Sequence, residues 1–418
     1  MRRFAPGSVL TSLPEPLTPD ALVIGAGPAG LMAADMISAA GRRVVIADAM
    51  PSPARKFLMA GKSGLNVSRD QPLPEFVSSY FEGGEWLAPI LDNFGPQDVK
   101  VWLDSHGIEH FTGSSKRIFP QGMKASPLLR SWLGLLAGRG VELKTRWRWD
   151  GWDGDGYRFL TPDGPRQVRA RCAVLAVGGA SWSRLGSTGS WTRLFEDREI
   201  ELNPFKPTNV GCRVPWSEHM EKHFGQPVKP VRMQVGSAEV HGEFVISRKG
   251  LEGGGIYLLS NRLREGEPLV LDLLPHMDRA TVAERLTRPR GRNSFSNHMR
   301  KALGLTPVKI ALFRECFDGD VSDVDAVAGA LKALRPQIAG PLEIDEAIST
   351  GGGVPETALD GNLMLRAAPG VFCAGEMLDW DAPTGGYLLT ACLATGRHAG
   401  MAAAGWLESR VATPTPAC

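Results

Sequence analysis

The stretch from Ala21 to Asp48 limits the possible folds more than any other part of this 418-residue chain. It opens with four apolar residues, Ala21 to Ile24, the composition of a strand buried on both faces of a parallel sheet. Gly25 suits the tight turn leaving that strand. Gly27 removes a side chain that would hold the backbone away from a phosphate, and Gly30 lets a helix lie close on its strand. Pro28 fits the first helical turn, where its missing N–H would have had no partner, and Ala29 continues the run of small residues. Gly41 is placed to end this helix. Val44 to Ala47 then reads as a second strand carrying Asp48, about 20 residues beyond the first glycine, where a carboxylate can accept from ribose hydroxyls. A glycine turn without a ligand is the plain alternative, but strand, glycines, helix, strand and acid in register predict a dinucleotide site.

The far end of the chain decides which dinucleotide is expected. Gly370 to Glu376 is a short apolar strand ending in Gly375 and Glu376, an acid that can hydrogen-bond a ribityl chain. Gly385, Gly386 and Tyr387 open a helix of small and apolar residues, whose free N–H groups and positive dipole end suit the negative charge of a reduced flavin. An ordinary glycine turn is the alternative for Gly385 and Gly386. Between the two ends, Ala173 to Val177 forms a third strand with a Gly178-Gly179 exit. Together these argue for tightly held FAD and not NAD.

With these segments in hand, the chain resembles the bacterial NAD(P)/FAD-dependent oxidoreductase flavoproteins, which include bile-acid enone reductases and ribosomal-RNA dihydrouridine synthases. The resemblance spans about residues 21 to 404. It rests on A-R-K-F-L-M-A-G-K-S-G-L-N-V-S (54 to 68), K-R-I-F-P-Q-G-M-K-A-S (116 to 126), V-G-G-A-S-W-S-R-L-G-S-T-G (177 to 189), I-S-T-G-G-G-V (348 to 354) and F-C-A-G-E-M-L-D-W-D-A-P-T-G-G-Y (372 to 387). It implies that Lys56, Gly61, Lys62 and Asn66 join the fingerprint residues in holding the cofactor. Asn66 serves equally well as an Asx-type turn. Where many members carry G-G-G-R-C-N, this chain has Gly61-Lys62-Ser63-Gly64-Leu65-Asn66. Any role of that thiol as a proton donor is closed to it.

The fold expected is α/β: a discontinuous Rossmann-like FAD-binding domain interrupted by an insert that is β-rich and then helical. The boundaries read as a flexible leader over 1–20, FAD domain over 21–200, β-rich insert over 201–278, helical insert over 279–345, FAD domain again over 346–410, and a tail over 411–418. The six cysteines form no C-x-x-C pair, and the histidine pairs His106/His110 and His219/His223 lack a third ligand, so no metal site is expected. No stretch approaches a membrane span and no apolar run follows the N-terminal M-R-R, which makes the expected location cytoplasmic.

The formal charge is only +2, yet Arg285 to Arg314 holds eight Lys or Arg and no Asp or Glu. That segment could bind RNA phosphates, or form a solvated face paired with acids from elsewhere in the fold. A single dinucleotide fingerprint leaves NAD(P)H as a transient reductant. The chemistry expected is hydride transfer from flavin N5 to a small molecule with a carbonyl-conjugated C=C bond. An RNA-acting uracil reductase and a low-turnover flavin-binding regulator are the alternatives. For the developing enolate, Lys62, Ser63, Arg117, Lys124 and Tyr387 are candidate donors, with Tyr387 and Arg117 preferred. Oligomeric state is not legible.

Overall fold

The computed structural model describes residues 15–62 and 64–410. Ser63, most of the expected leader and the expected tail lie outside the described residues. Residues 15 to 20, read as the end of that leader, are tied down instead. Leu17 N–H donates to Gln167 O (3.1 Å), Arg169 N–H donates to Leu17 O (2.8 Å), and Asp20 accepts from the Arg43 N–H (2.9 Å). Extending an exposed strand edge satisfies backbone groups that a loose segment would leave to water.

Four largely apolar runs and a polar edge strand assemble into one parallel sheet in the order Val371–Cys373, Cys172–Leu175, Ala21–Ile24, Val44–Asp48, Glu142–Thr145. Ala21–Ile24 and Cys172–Leu175 are buried along their whole length, as strands covered on both faces must be. The fingerprint helix Pro28–Ala39 packs on the long helix Tyr387–Ser409. Their small residues are the reason. A Cβ on Gly396 would fall 2.3 Å from Ala29 O, and one on Gly400 2.7 Å from Ala33 Cα, so the backbones touch. This contact locks the chain's far end onto its beginning.

A second body carries its own hydrophobic cluster, including Met233, Phe244, Leu271 and Phe313. Its antiparallel sheet runs Cys212–Arg213, Gly250–Glu252, Ala238–Ile246, Pro227–Val235, Leu269–Asp272. The helices Arg279–Leu286, Phe295–Leu303, Pro307–Cys316 and Val324–Lys332 follow. Asn203–Thr208 pairs antiparallel with Ser349–Gly353 where the chain leaves and re-enters the parallel-sheet body. Among the described residues no group of three or more His, Cys, Asp or Glu is placed to hold a metal, and no helix is long and apolar enough to cross a membrane.

Candidate functional site

The phosphate loop is held by steric necessity. Gly25 has φ +102°, and a Cβ there would sit 2.2 Å from Ala176 O; at Gly30 it would sit 1.9 Å from Gly25 O. Gly27 differs, because a Cβ there meets nothing within 4 Å. Its open side is the space a pyrophosphate needs at a helix N-terminus. Pro28 opens the helix, and Ala29 is a packing residue whose Cβ would lie 2.8 Å from one built on Gly375. The Asp48 carboxylate accepts from the Ala26 N–H through Oδ2 and the Met50 N–H through Oδ1, both at 2.8 Å. Burial pushes its pKa up, against these two N–H groups and the nearby Arg55 charge. Asp48 therefore braces the loop, and its remaining lone pairs are the ones a ribose could use.

Gly178 (φ +75°) and Gly179 leave the sheet next to the return strand, where a Cβ on Gly179 would meet Thr350 Oγ1 at 2.1 Å. The expected ribityl acid, Glu376, is engaged by the protein. Lys56 Nζ donates to its two oxygens at 3.0 and 2.8 Å and to Ser181 Oγ at 2.8 Å, and the Thr350 N–H donates to Oε1 at 3.1 Å. A ribityl hydroxyl would share this carboxylate with Lys56. Gly61 closes the short helix Arg55–Ala60 against Ala125, to whose Cβ its own would come within 2.8 Å. Lys62 is exposed, Lys124 precedes the helix Ala125–Gly138, and Asn66 has a buried Oδ1 without a partner.

At the head of the long helix, Gly385 (φ +127°) and Gly386 (φ +104°) turn the chain. Gly386 lies against the Ser68 backbone, where a Cβ would come within 2.4 Å of Ser68 C. Tyr387 is buried at 4 % exposure. Its hydroxyl donates to Gln71 Oε1 (2.6 Å) and accepts from Ser79 Oγ (3.2 Å). Tyr387, expected as a hydrogen-bond donor to an enolate, thus fastens the helix to residues 71–80 and directs its O–H to Gln71. Arg117 sits on the strand Arg117–Pro120, directly opposite Arg69.

Several residues in this arrangement carried no sequence signal. Asn209, fully buried at φ +53°, donates to Ser349 Oγ (2.7 Å) and Ala382 O (2.8 Å) and accepts from the Thr384 N–H (2.9 Å). It fixes the loop leading to Gly385. Burial pushes the Asp381 carboxyl up to about 7. Its Oδ2 accepts from Thr208 Oγ1 (2.9 Å) and lies 3.7 Å from Arg264 Nη1, while its buried Oδ1 has no partner. Asp381 lies inside a quoted motif, but the other partners are far away in the sequence.

The open side of Gly27, the unpartnered Asn66 Oδ1 and the glycine turn at the helix head fit FAD, with its pyrophosphate at one end and a hydrogen-bonding ring at the other.

Comparison with known proteins agrees with this architecture. A ribosomal RNA dihydrouridine synthase of Escherichia coli is 24% identical over 387 residues, covering 88% of this chain and 94% of that protein. A 3-dehydro-bile acid delta(4,6)-reductase of Clostridium scindens is 25% identical over 421 residues, covering 91% and 98%. The structure of a 3-ketosteroid-delta4-(5alpha)-dehydrogenase from Rhodococcus jostii superimposes with a TM-score of 0.54 at 14% identity, over 95% of this chain and 98% of that one, a likeness of fold. The HI0933-like protein Rossmann domain model matches residues 19–402, and the chain belongs to that family.

Proposed function

We propose that this FAD-dependent oxidoreductase reduces a C=C bond conjugated to a carbonyl, with NAD(P)H as a transient electron donor. The observation that carries the reading is the meeting of the Gly25–Gly30 loop with the Gly375–Tyr387 segment across one sheet, beside the junction with the second body. The names of both curated relatives describe saturation of such a bond, since the C5=C6 bond of uridine is conjugated to its C4 carbonyl. Bound FAD, once reduced by the nicotinamide, would supply the hydride.

The chain's own residues do the rest. Gly27 and the first turn of Pro28–Ala39 receive the pyrophosphate; Asp48 is set toward the ribose, and Lys56 holds Glu376 in place. Asn209 fixes the approach to Gly385 and Gly386, whose helix dipole favours negative charge at that end. Asp381, buried and able to hold a proton near neutral pH, is the acid closest in sequence to this turn. Anaerobic reduction by NADH or NADPH, followed by reoxidation with enones and with uridine-containing RNA, tests the proposal. A reduced flavin that no enone or uridine reoxidises would reject it.

The RNA reading keeps one observation in its favour. Of the eight cations between Arg285 and Arg314, Lys309 is buried on the carbonyls of Pro230 and Leu273, and the other seven form no ion pair among the described residues.

A further inference from the structure

We propose that Arg69 and Arg117 form a site for an oxyanion of the substrate, a carboxylate or a phosphate, at the head of the helix Tyr387–Ser409. This inference rests on the reductase reading and names the class of substrate it would take.

The two arginines face each other in antiparallel register, Arg69 opposite Arg117, which places their side chains together on one face of a small sheet. Like charges so placed repel. No carboxylate offsets them, because neither guanidinium has an ion pair or a side-chain hydrogen bond among the described residues, and the Nε of each is buried without a partner. The nearest acid in sequence, Asp70, accepts instead from Lys100 (2.9 Å), Gln97 (2.9 Å) and Thr112 (3.2 Å). Arg69 is held in place from the other side. Its guanidinium carbon lies 5.9 Å from the centre of the Tyr387 ring, and its Nη1 would be 3.4 Å from a Cβ on Gly385.

Guanidiniums present paired N–H donors matched to the oxygens of a carboxylate or phosphate. An oxyanion there would answer the unpartnered N–H groups and the repulsion between the arginines at once. The helix head adds a dipole of the same sign. Arg117, read from sequence as an enolate stabiliser, thereby becomes one half of a substrate-binding pair.

The test uses the full-length FAD-loaded protein and its Arg69→Gln, Arg117→Gln and double variants. Calorimetric titration with inorganic phosphate and with acetate asks whether the site binds oxyanions at all. Reoxidation of the reduced protein is then compared for an enone carboxylic acid against its methyl ester, and for oligouridylate against uridine. The expected result is oxyanion binding that the double variant loses, with the KM advantage of the charged partner falling about tenfold for each arginine removed. The acid/ester pair responding alone assigns a carboxylate, and the oligouridylate pair responding alone assigns a phosphate. Arg69→Lys and Arg117→Lys, which keep the charge but lose the paired geometry, should fall between and cover the case in which the Gln variants fail to fold. Unchanged anion binding in the double variant, or none in the wild type, overturns the site. Failure of every acceptor to reoxidise the flavin overturns the reductase reading, while the phosphate titration still decides the site.

Discussion

The two ends of the proposed cofactor cradle are held in different ways. At the phosphate end, Gly25 and Gly30 are required because their Cβ atoms would strike backbone, at Ala176 O and Gly25 O, and the hydrogen bonds that brace the loop lie within residues 26–50. At the ring end Gly386 also meets backbone, at Ser68, but the approach to the turn is held by remote side chains: Asn209 on Ala382 and Thr384, and Thr208 and Arg264 on Asp381. Glycines pressed on backbone tolerate few substitutions at either end, whereas the remote side chains of the ring end can be retuned one contact at a time.

The sharpest way to break this contrast is within the phosphate loop itself. Gly30→Val should prevent folding, because its Cβ would overlap Gly25 O, and overpacking costs of about 1–3 kcal/mol assume neighbours that can move, which backbone cannot. Gly27→Leu should leave a folded protein that is colourless, since its side chain enters open space that the pyrophosphate needs. Visible absorbance and circular dichroism check both; a yellow Gly27→Leu protein would remove Gly27 from the phosphate site.

At the ring end, Asp381→Asn should alter how stability varies with pH. Burial raises the folded-state pKa from 3.8 to about 7, so the folded state binds the extra proton across that window. The stabilisation is full below the unfolded pKa and is lost as pH rises toward 7, by as much as about 4 kcal/mol. Urea denaturation of both proteins from pH 4 to 8 should show the slope in the wild type and its absence in the variant. Parallel curves would mean that Asp381 is ionised throughout.

Asn209→Ala removes three buried hydrogen bonds and should cost about 2–3 kcal/mol while weakening FAD retention. Equal FAD affinity in the variant would show that the 382–384 loop holds its shape alone. The smallest effect is expected from Lys56→Met. Lys56 is 30% exposed, so solvent screens its pair with Glu376 and the stability loss should stay near 1 kcal/mol. The flavin spectrum should shift if Glu376 then turns toward the ribityl chain.

Much of this fold is legible along the chain. The apolar runs at 21–24, 44–47 and 173–177 read as buried strands because a parallel sheet buries both faces, and the structure has strands at Ala21–Ile24, Val44–Asp48 and Cys172–Leu175. Arg146-Trp147-Arg148-Trp149 misleads in the opposite way. Its alternation suggests one strand, yet Arg146 has φ +58° and turns the chain between Glu142–Thr145 and Arg148–Asp153. Trp149 is buried and Trp147 packs on Phe159 at 5.7 Å between ring centres, so the tryptophans serve the core. Glu376 and Tyr387 stand out in the sequence as candidates, but their partners, which lie more than 300 residues away at Lys56 and Gln71, do not.

The parallel sheet, the glycine loop and the glycine turn at the far helix are signalled by residue type alone, because strand burial and positive φ are written in local composition, even though the backbones that Gly25 and Gly386 meet, at Ala176 and Ser68, are remote. Folding decided the remainder. It left Arg69 and Arg117 side by side without an acid, committed the Tyr387 proton to Gln71, and buried Asp381 with one oxygen unpartnered. Charge, protonation and hydrogen-bond partnership depend on which distant groups come within a few ångströms, and no local pattern in the chain encodes those distances.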